Sequence, residues 1–251
     1  MQMTERKARP ILFSGEMVRP VLLGDKSQTR RVMKPQPVLV DNGQTWDWPK
    51  IIKRVGGHDI SAASWAANLK DPHVKESCPY GKPGDHLWVR EAFYVDLETD
   101  VFYHADYSTH DALAAFADAG AHWKPSIHMP RWASRITLEI TDVRAERVQE
   151  ISEEDAKAEG IEFRGSYWLG GKGTLQCWPT AQRAFRALWD SIYAIPKPRH
   201  VTINGKKVIT HYESFPFSGK PGTFTFRGKP HIVTSNPWVW AVELKRNEGD
   251  T

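Results

Sequence analysis

The sequence has only two cysteines, Cys78 and Cys177, among its 251 residues. Two cysteines exclude a disulfide-rich scaffold and any zinc site built from four cysteines. The chain also lacks a run of about 18 apolar residues, so the sequence predicts no membrane-spanning helix. Its first ten residues, MQMTERKARP, are polar and charged and show no apolar core of a signal peptide. We therefore expect a cytoplasmic protein without a membrane partner.

The common catalytic motifs are missing as well. The sequence has no HExxH, CxxC, GxSxG or GxGxxG, and GDKSQT is not the GxxxxGK[ST] of a P-loop. The spacing of His104, His110, His122 and His128 matches no zinc motif. We therefore expect neither a metal ion nor a cofactor.

Tryptophan and basic residues are the two features in excess. The chain has 11 Trp beside 10 Phe and 7 Tyr, which predicts either a large packed core or stacking surfaces for flat ligands such as bases. Residues 1–37 hold eight Lys and Arg against three Asp and Glu, although the whole chain has a net charge of only +4. Such clustering suits a polyanionic partner, and a solvated basic face explains it equally well.

The pattern of apolar residues and turn residues predicts a mixture of short helices and strands. Without a regular strand–helix alternation, this mixture favours an α+β fold with a small mixed or barrel-like sheet. Predicted helices lie at the end of 11–24, near 61–70, and over 110–120, 151–161 and 179–193. Predicted strands lie at the start of 11–24, over 86–95 and 101–105 as one hairpin, over 134–149 and 237–246, and around an Asn204-Gly205 turn.

Two stretches contain residue types suited to chemistry. In GDKSQTRR (24–31), a desolvated Lys26 could serve as a base, and Thr29 could serve as a nucleophile beside one. The same stretch is also consistent with a plain basic surface turn. Glu159 ends a helix, where a carboxylate opposes the helix dipole, so either another group holds it or it is an ordinary helix residue.

The segment WKPSIHMPRWASR (123–135) interleaves tryptophan with arginine. Arg131 and Trp132 fit a loop that stacks on bases and contacts phosphates, whereas packing is the simpler explanation for each Trp.

Four stretches resemble the ASCH-domain family, a branch of the PUA-like fold. They are LLGDKSQTRR (22–31), KPGDHLWVRE (82–91), SRITLEITDVRAERVQEISEEDAKAEGI (134–161) and NPWVWAVELKR (236–246). Together with PSIHMPRWASRITL, the sequence of these stretches is most similar to that of the larger ASCH-like proteins of bacteriophages and prophages. The resemblance implies a single domain, a small mixed β-barrel with short helices, with its core at 9–35, 82–161, 179–193 and 236–246. Long insertions would then occupy 38–80 and 162–235.

The resemblance also implies a function. ASCH domains are thought to bind nucleic acid or nucleotides, and one bacterial branch removes the acetyl group from N4-acetylcytidine with a Lys, a Thr and a Glu. Lys26, Thr29 and Glu159 fill those positions here, although Ser27, Gln28 and Arg30 differ from the usual residues and this chain is longer. Residues expected to bind substrate or nucleic acid are Arg30, Arg31, Trp88, Arg90, Arg131 and Trp132.

Two functions of different classes follow as expectations. The first is an amidohydrolase acting on a modified nucleobase such as N4-acetylcytidine. The alternative is a non-catalytic module that binds RNA, single-stranded DNA or a modified base, working in the bacterial cytoplasm if a phage encodes it. A host protein partner is a third hypothesis, for which the sequence specifies no surface.

Overall fold

The computed structural model describes residues 7–40, 45–47, 54–55, 58–59, 77–96, 100–107, 122–170 and 176–247. The chain divides into two compact units. The first unit comprises 1–29, 75–143 and 242–251, and the second comprises 30–74 and 144–241. The helices predicted near 61–70 and over 110–120 lie outside the described residues. The prediction of a single domain stays a prediction.

Helices and strands follow one another without a repeating order, which confirms the α+β class. The helices among the described residues are α1 (Gly15–Leu23), α2 (Glu153–Ala158) and α3 (Ala181–Tyr193). In the first half of the chain the strands are β1 (Ala8–Leu12), β2 (Gln28–Val32), β3 (Val38–Val40), β4 (Thr45–Asp47), β5 (Arg54–Val55), β6 (His58–Asp59), β7 (His86–Arg90), β8 (Phe93–Val95) and β9 (Val101–Tyr103). In the second half they are β10 (Thr137–Arg147), β11 (Phe163–Arg164), β12 (Tyr167–Leu169), β13 (Cys177–Trp178), β14 (Lys197–Ile203), β15 (Lys206–Ser214), β16 (Gly222–Phe226), β17 (Lys229–Val233) and β18 (Trp238–Arg246).

The largest sheet has five strands in the order β1-β7-β10-β18-β2. β1 runs parallel to β7, and β7 runs antiparallel to β10. β1 and β2 are the edges of this sheet, so over the described ranges it is open and does not close into the barrel that the sequence predicts. The boundary between the two units falls inside β2, β10 and β18.

Helix α1 follows the prediction closely. Val18 and Val21 are its buried residues, whereas Leu23 is exposed. Gly24 ends the helix in the left-handed conformation, at φ 83°, which glycine adopts without a steric penalty. The amides of Asp25 and Lys26 then donate to the Pro20 carbonyl at 2.8 and 3.1 Å. The chain therefore leaves α1 in a fixed direction toward β2.

The predicted hairpin over 86–95 and 101–105 is wrong in its first half. Only β8 pairs with β9, in antiparallel register, and β7 lies between β1 and β10 instead. Glu91 separates β7 from β8. Its carboxylate is 1 % exposed and accepts hydrogen bonds from Arg135, which takes this residue out of the strand pattern.

Helices α2 and α3 pack together in the second unit around a hydrophobic cluster that includes Phe185, Trp189 and Phe215. The Trp189 indole N–H donates to the Phe215 carbonyl at 2.8 Å. Glu153, in the first turn of α2, accepts hydrogen bonds from the amides of Ala181 and Gln182 at 2.6 and 3.1 Å. The carboxylate of one helix therefore caps the N-terminus of the next.

The stretch predicted as an insertion, 162–235, contains α3 and two further sheets. One sheet has three strands, β11-β12-β13, and the other has four, in the order β14-β15-β17-β16. Asn204 and Gly205, at φ 49° and 73°, form the two-residue turn that joins β14 to β15, as the sequence predicts.

The turn before β7 is held by one carboxylate in the first unit. Asp85 accepts hydrogen bonds from the Arg9 guanidinium at 2.7 Å and from the amides of Lys7 and Lys82 at 3.3 Å. Burial alone would raise the pKa of Asp85, but these donors outweigh it and lower the pKa below its ordinary value.

We expect Asp85→Asn to lower the free energy of unfolding at pH 7 by about 1–3 kcal/mol, because the Arg9 guanidinium and the two backbone amides lose their ionised acceptor. Because the pKa of Asp85 is lower in the folded than in the unfolded state, its ionised carboxylate stabilises the fold at pH values above the unfolded-state pKa. This stabilisation is lost as the pH falls through the folded-state pKa. The difference between the two proteins should therefore shrink below about pH 4. Urea denaturation at both pH values measures it, with the exposed Asp25→Asn as the control. A difference that stays constant over this range would contradict the assignment.

Candidate functional site

Lys26 and Thr29, the predicted base and nucleophile, lie in the first unit. Both are buried, with 5 % and 4 % of their surface exposed. The Lys26 ammonium lies 5.7 Å from the centre of the Phe13 ring. The carbonyl of Ser27 accepts a hydrogen bond from the Leu244 amide at 2.8 Å, which ties the segment between the two residues to β18. This stretch is therefore no exposed basic turn, because its Lys and Thr are shielded from water.

Glu159 lies in the second unit, immediately after α2. Ser152 begins that helix, and its hydroxyl accepts a hydrogen bond from the Asp155 amide at 3.0 Å. Glu159 is the C-terminal capping residue, followed by Gly160 at φ 81°. The sequence places Glu159 at this end of the helix, where its charge opposes the helix dipole. Another group must therefore compensate the carboxylate.

Arg30 supplies that compensation. Its side chain is fully buried and contacts three carboxylates: Glu146 at 2.7 Å, Asp155 at 2.8 Å and Glu159 at 3.2 Å. Arg144 joins the same group, 2.8 Å from both Glu146 and Asp155. We call these five residues the acidic cluster, because two guanidinium groups face three carboxylates.

The carboxylates of the acidic cluster favour the charged form of Arg144. Partial burial alone would lower the pKa of Arg144, but Glu146 and Asp155 outweigh this effect and raise the pKa above its ordinary value. The sequence predicts that Arg30 binds substrate. In the structure its guanidinium is engaged with the cluster, and its contact with substrate stays a prediction. Arg31, the next predicted contact, is partly buried.

The other predicted binding residues come together in the first unit. The guanidinium carbons of Arg90 and Arg131 lie 5.4 and 5.8 Å from the centre of the Trp88 ring. Trp132 follows Arg131 in a short 3-10 turn, and 68 % of its surface is exposed. We call Trp88, Arg90, Arg131 and Trp132 the Trp–Arg surface.

Hydrogen bonds fix the two arginines of the Trp–Arg surface. Arg90 donates to the carbonyl of Ile127, and Arg131 donates to the Thr137 hydroxyl at 3.2 Å. Thr137 is itself the cross-strand partner of Trp88. Both guanidinium groups are therefore oriented beside the indole.

Residues that the sequence analysis did not select hold the turn of Trp132 in place. The Ser134 hydroxyl donates to the Val89 carbonyl at 2.8 Å, and Arg135 donates to both carboxylate oxygens of Glu91 at 3.0 and 3.2 Å. Burial raises the pKa of Glu91 even though Arg135 acts in the opposite direction. The only sequence signal for Arg135 is its place at the end of the Trp- and Arg-rich segment.

Among the residues that the structure describes, no group of three His, Cys, Asp or Glu is placed to hold a metal ion. His104 packs on Trp123, with ring centres 5.1 Å apart, and His110 lies outside the described residues.

None of the described helices combines the length and the apolar composition needed to cross a membrane. Comparison of the chain with protein-family models, curated proteins and solved structures found no match.

Proposed function

We propose that the chain binds single-stranded nucleic acid on the Trp–Arg surface. The observation that carries this proposal is the exposure of Trp132, 68 %, next in sequence to Arg131, whose guanidinium lies near the Trp88 ring together with that of Arg90. Most of the Trp132 side chain is not covered by the protein, so a flat ligand that stacks on the indole would bury apolar surface that is now exposed to water.

The chemistry of the Trp–Arg surface fits one strand of nucleic acid. Every base has a flat face that stacks on an indole, and each stacked base contributes about 1–3 kcal/mol. Arg90 and Arg131 supply planar, permanently charged groups that bind phosphate through two parallel hydrogen bonds. Unpaired bases are accessible to such stacking, which favours a single strand.

Replacing Trp132 with alanine tests this proposal. We expect the affinity for a short single-stranded RNA to fall by about 5- to 100-fold, because one base loses its stacking partner. Fluorescence anisotropy at low salt measures the change. Trp132 is largely exposed, so the fold tolerates its loss.

Phe163→Ala provides the matched control. Phe163 is also an exposed aromatic residue, at 53 %, but it lies in the second unit and packs on Trp168. Its replacement should leave RNA binding unchanged. Equal losses with both variants, or no RNA binding by the wild-type protein at low salt, would refute the role of Trp132.

We also propose a PUA-like fold and, as a second function, amide hydrolysis at N4-acetylcytidine. The resemblance to ASCH domains suggests both, and the burial of Lys26 and Thr29 favours the second. A desolvated lysine is driven toward its neutral form, which can accept a proton.

In this reaction neutral Lys26 takes the proton of the Thr29 hydroxyl, and Oγ1 attacks the acetyl carbonyl. The bond between the carbonyl carbon and N4 then breaks, and N4 receives a proton as cytidine leaves. Water hydrolyses the acetyl ester on Thr29 and releases acetate. Glu159 is assigned to the proton transfers by the resemblance.

A further inference from the structure

A further concentration of positive charge lies outside both the acidic cluster and the Trp–Arg surface. Between Lys197 and Val233 the chain carries seven Lys and Arg and a single Glu, a net charge of +6 that exceeds the +4 of the whole chain. The one carboxylate, Glu213, forms ion pairs with Arg199 and His211. The positive charge of the segment is therefore not neutralised from within.

The two strands that begin this segment extend beyond their sheet. β15 pairs with β17 only through Tyr212, Glu213 and Ser214. A β-bulge between Arg199 and His200 marks the point beyond which β14 and β15 pair only with each other. Every residue from His200 to Val208 is exposed. We call His200–Ile209 the basic ribbon.

The basic ribbon has two different faces, since cross-strand partners share a face. Val201 pairs with Val208, and Ile203 pairs with Lys206, so one face is apolar with a cation at its end. The opposite face contains His200, Thr202, Lys207 and Ile209. Val201, Ile203 and Val208 remain 50 %, 52 % and 39 % exposed.

A binding partner would stabilise the basic ribbon, and the positive charge of the ribbon indicates which kind of partner fits. An isolated two-stranded hairpin is marginally stable in water, and three exposed branched apolar residues add unburied surface. A second copy of the chain would bring like charges together, which opposes self-association. A polyanion with a groove that admits a β-ribbon would neutralise the positive charge and cover the apolar side chains.

Duplex DNA has these properties. Its major groove is about 12 Å wide and admits a two-stranded β-ribbon, whose strands lie about 4.8 Å apart. Apolar side chains contact the thymine methyl groups there, and lysines neutralise the phosphates along the rim. The major groove of duplex RNA is too narrow for side chains to read.

We propose that the basic ribbon inserts into the major groove of duplex DNA. This inference does not depend on single-strand binding at the Trp–Arg surface, because the two sets of residues lie in different units. The apolar face of Val201, Ile203 and Val208 contacts base edges, and Lys206 and Lys207, one on each face, contact the phosphates.

The test is the affinity for a short duplex DNA over a range of salt concentrations. Lys206→Gln/Lys207→Gln should weaken binding about tenfold and reduce the slope of log K against log salt by about two, one unit for each lost phosphate contact. Lys82→Gln/Lys245→Gln, also at exposed lysines, is the charge-matched control and should change neither quantity. Ile203→Ser should lower the preference for duplex DNA over duplex RNA.

Four results would overturn the proposal: no duplex binding at about 50 mM salt, equal losses with the two double variants, equal affinity for duplex RNA, or a dimer that Ile203→Lys dissociates. Trp132→Ala separates the two binding proposals. It should leave duplex DNA binding intact, and the ribbon variant should leave RNA binding intact.

Discussion

Replacing Arg30 with methionine should lower the free energy of unfolding by about 3–5 kcal/mol, the largest loss that we expect from a single charged residue. The reason is electrostatic. Arg30 contacts Glu146, Asp155 and Glu159 with a side chain that is fully buried. Methionine retains much of the volume but removes all three of these ion pairs, while Arg144 still contacts Glu146 and Asp155.

Chemical denaturation followed by circular dichroism measures this loss. Arg164→Met is the control, because the Arg164–Glu162 pair is exposed on both sides and should leave the denaturation midpoint unchanged. A second variant tests the mechanism itself. Adding Glu146→Gln to Arg30→Met removes one of the negative charges that Arg30 contacts and should recover part of the stability, because the effects of neighbouring charges are not additive. A loss no larger than that of Arg164→Met would show that the acidic cluster does not stabilise the fold.

Thr29→Val should abolish the proposed hydrolysis of N4-acetylcytidine, with a fall in kcat of at least about 1000-fold. Valine has nearly the shape of threonine, so the buried site stays filled, but it lacks the hydroxyl that would form the acyl-enzyme. Thr29→Ser keeps a hydroxyl and should keep measurable turnover. Release of cytidine, followed chromatographically, is the readout.

Phe163→Ala is the control for this reaction, because it removes an exposed aromatic side chain that is neither the proposed nucleophile nor a residue expected to bind substrate. Absence of cytidine release by the wild-type protein would refute hydrolysis and leave nucleic-acid binding standing. Unchanged turnover in Thr29→Val would show that the reaction, if present, does not use Thr29.

Features with local sequence signals were predictable. Ser152 followed by Asp155 predicts the start of α2, and the structure contains the corresponding hydrogen bond. Asn204-Gly205 predicts the turn between β14 and β15, because both residues tolerate a positive φ. Gly24 likewise predicts the end of α1, because glycine commonly terminates helices in the left-handed conformation.

Partners distant in sequence were not predictable. β7 has an apolar alternation that pairs equally well with any neighbour, and only the folded chain shows that β1 and β10 flank it. Arg30 meets Glu146 and Glu159 across more than a hundred residues. A single sequence carries no signal for such contacts, so it does not predict that Arg30 belongs to the acidic cluster.

The exposure of Trp132 was only partly predictable from the sequence. Its segment has the composition of a stacking loop, but a 3-10 turn has too few residues for periodicity to separate an exposed side from a buried one. Packing therefore remains the simpler interpretation of Trp132 from the sequence, with ligand binding as the alternative.

The cap that Glu153 places on α3 has a consequence for the dynamics of the second unit. A helix whose first amides are satisfied by its neighbour loses those hydrogen bonds when the neighbour unfolds. We therefore expect helices α2 and α3 to open as one cooperative unit, with amide hydrogens that exchange with solvent together. The short helix of six residues would then share the protection of the longer one that it caps.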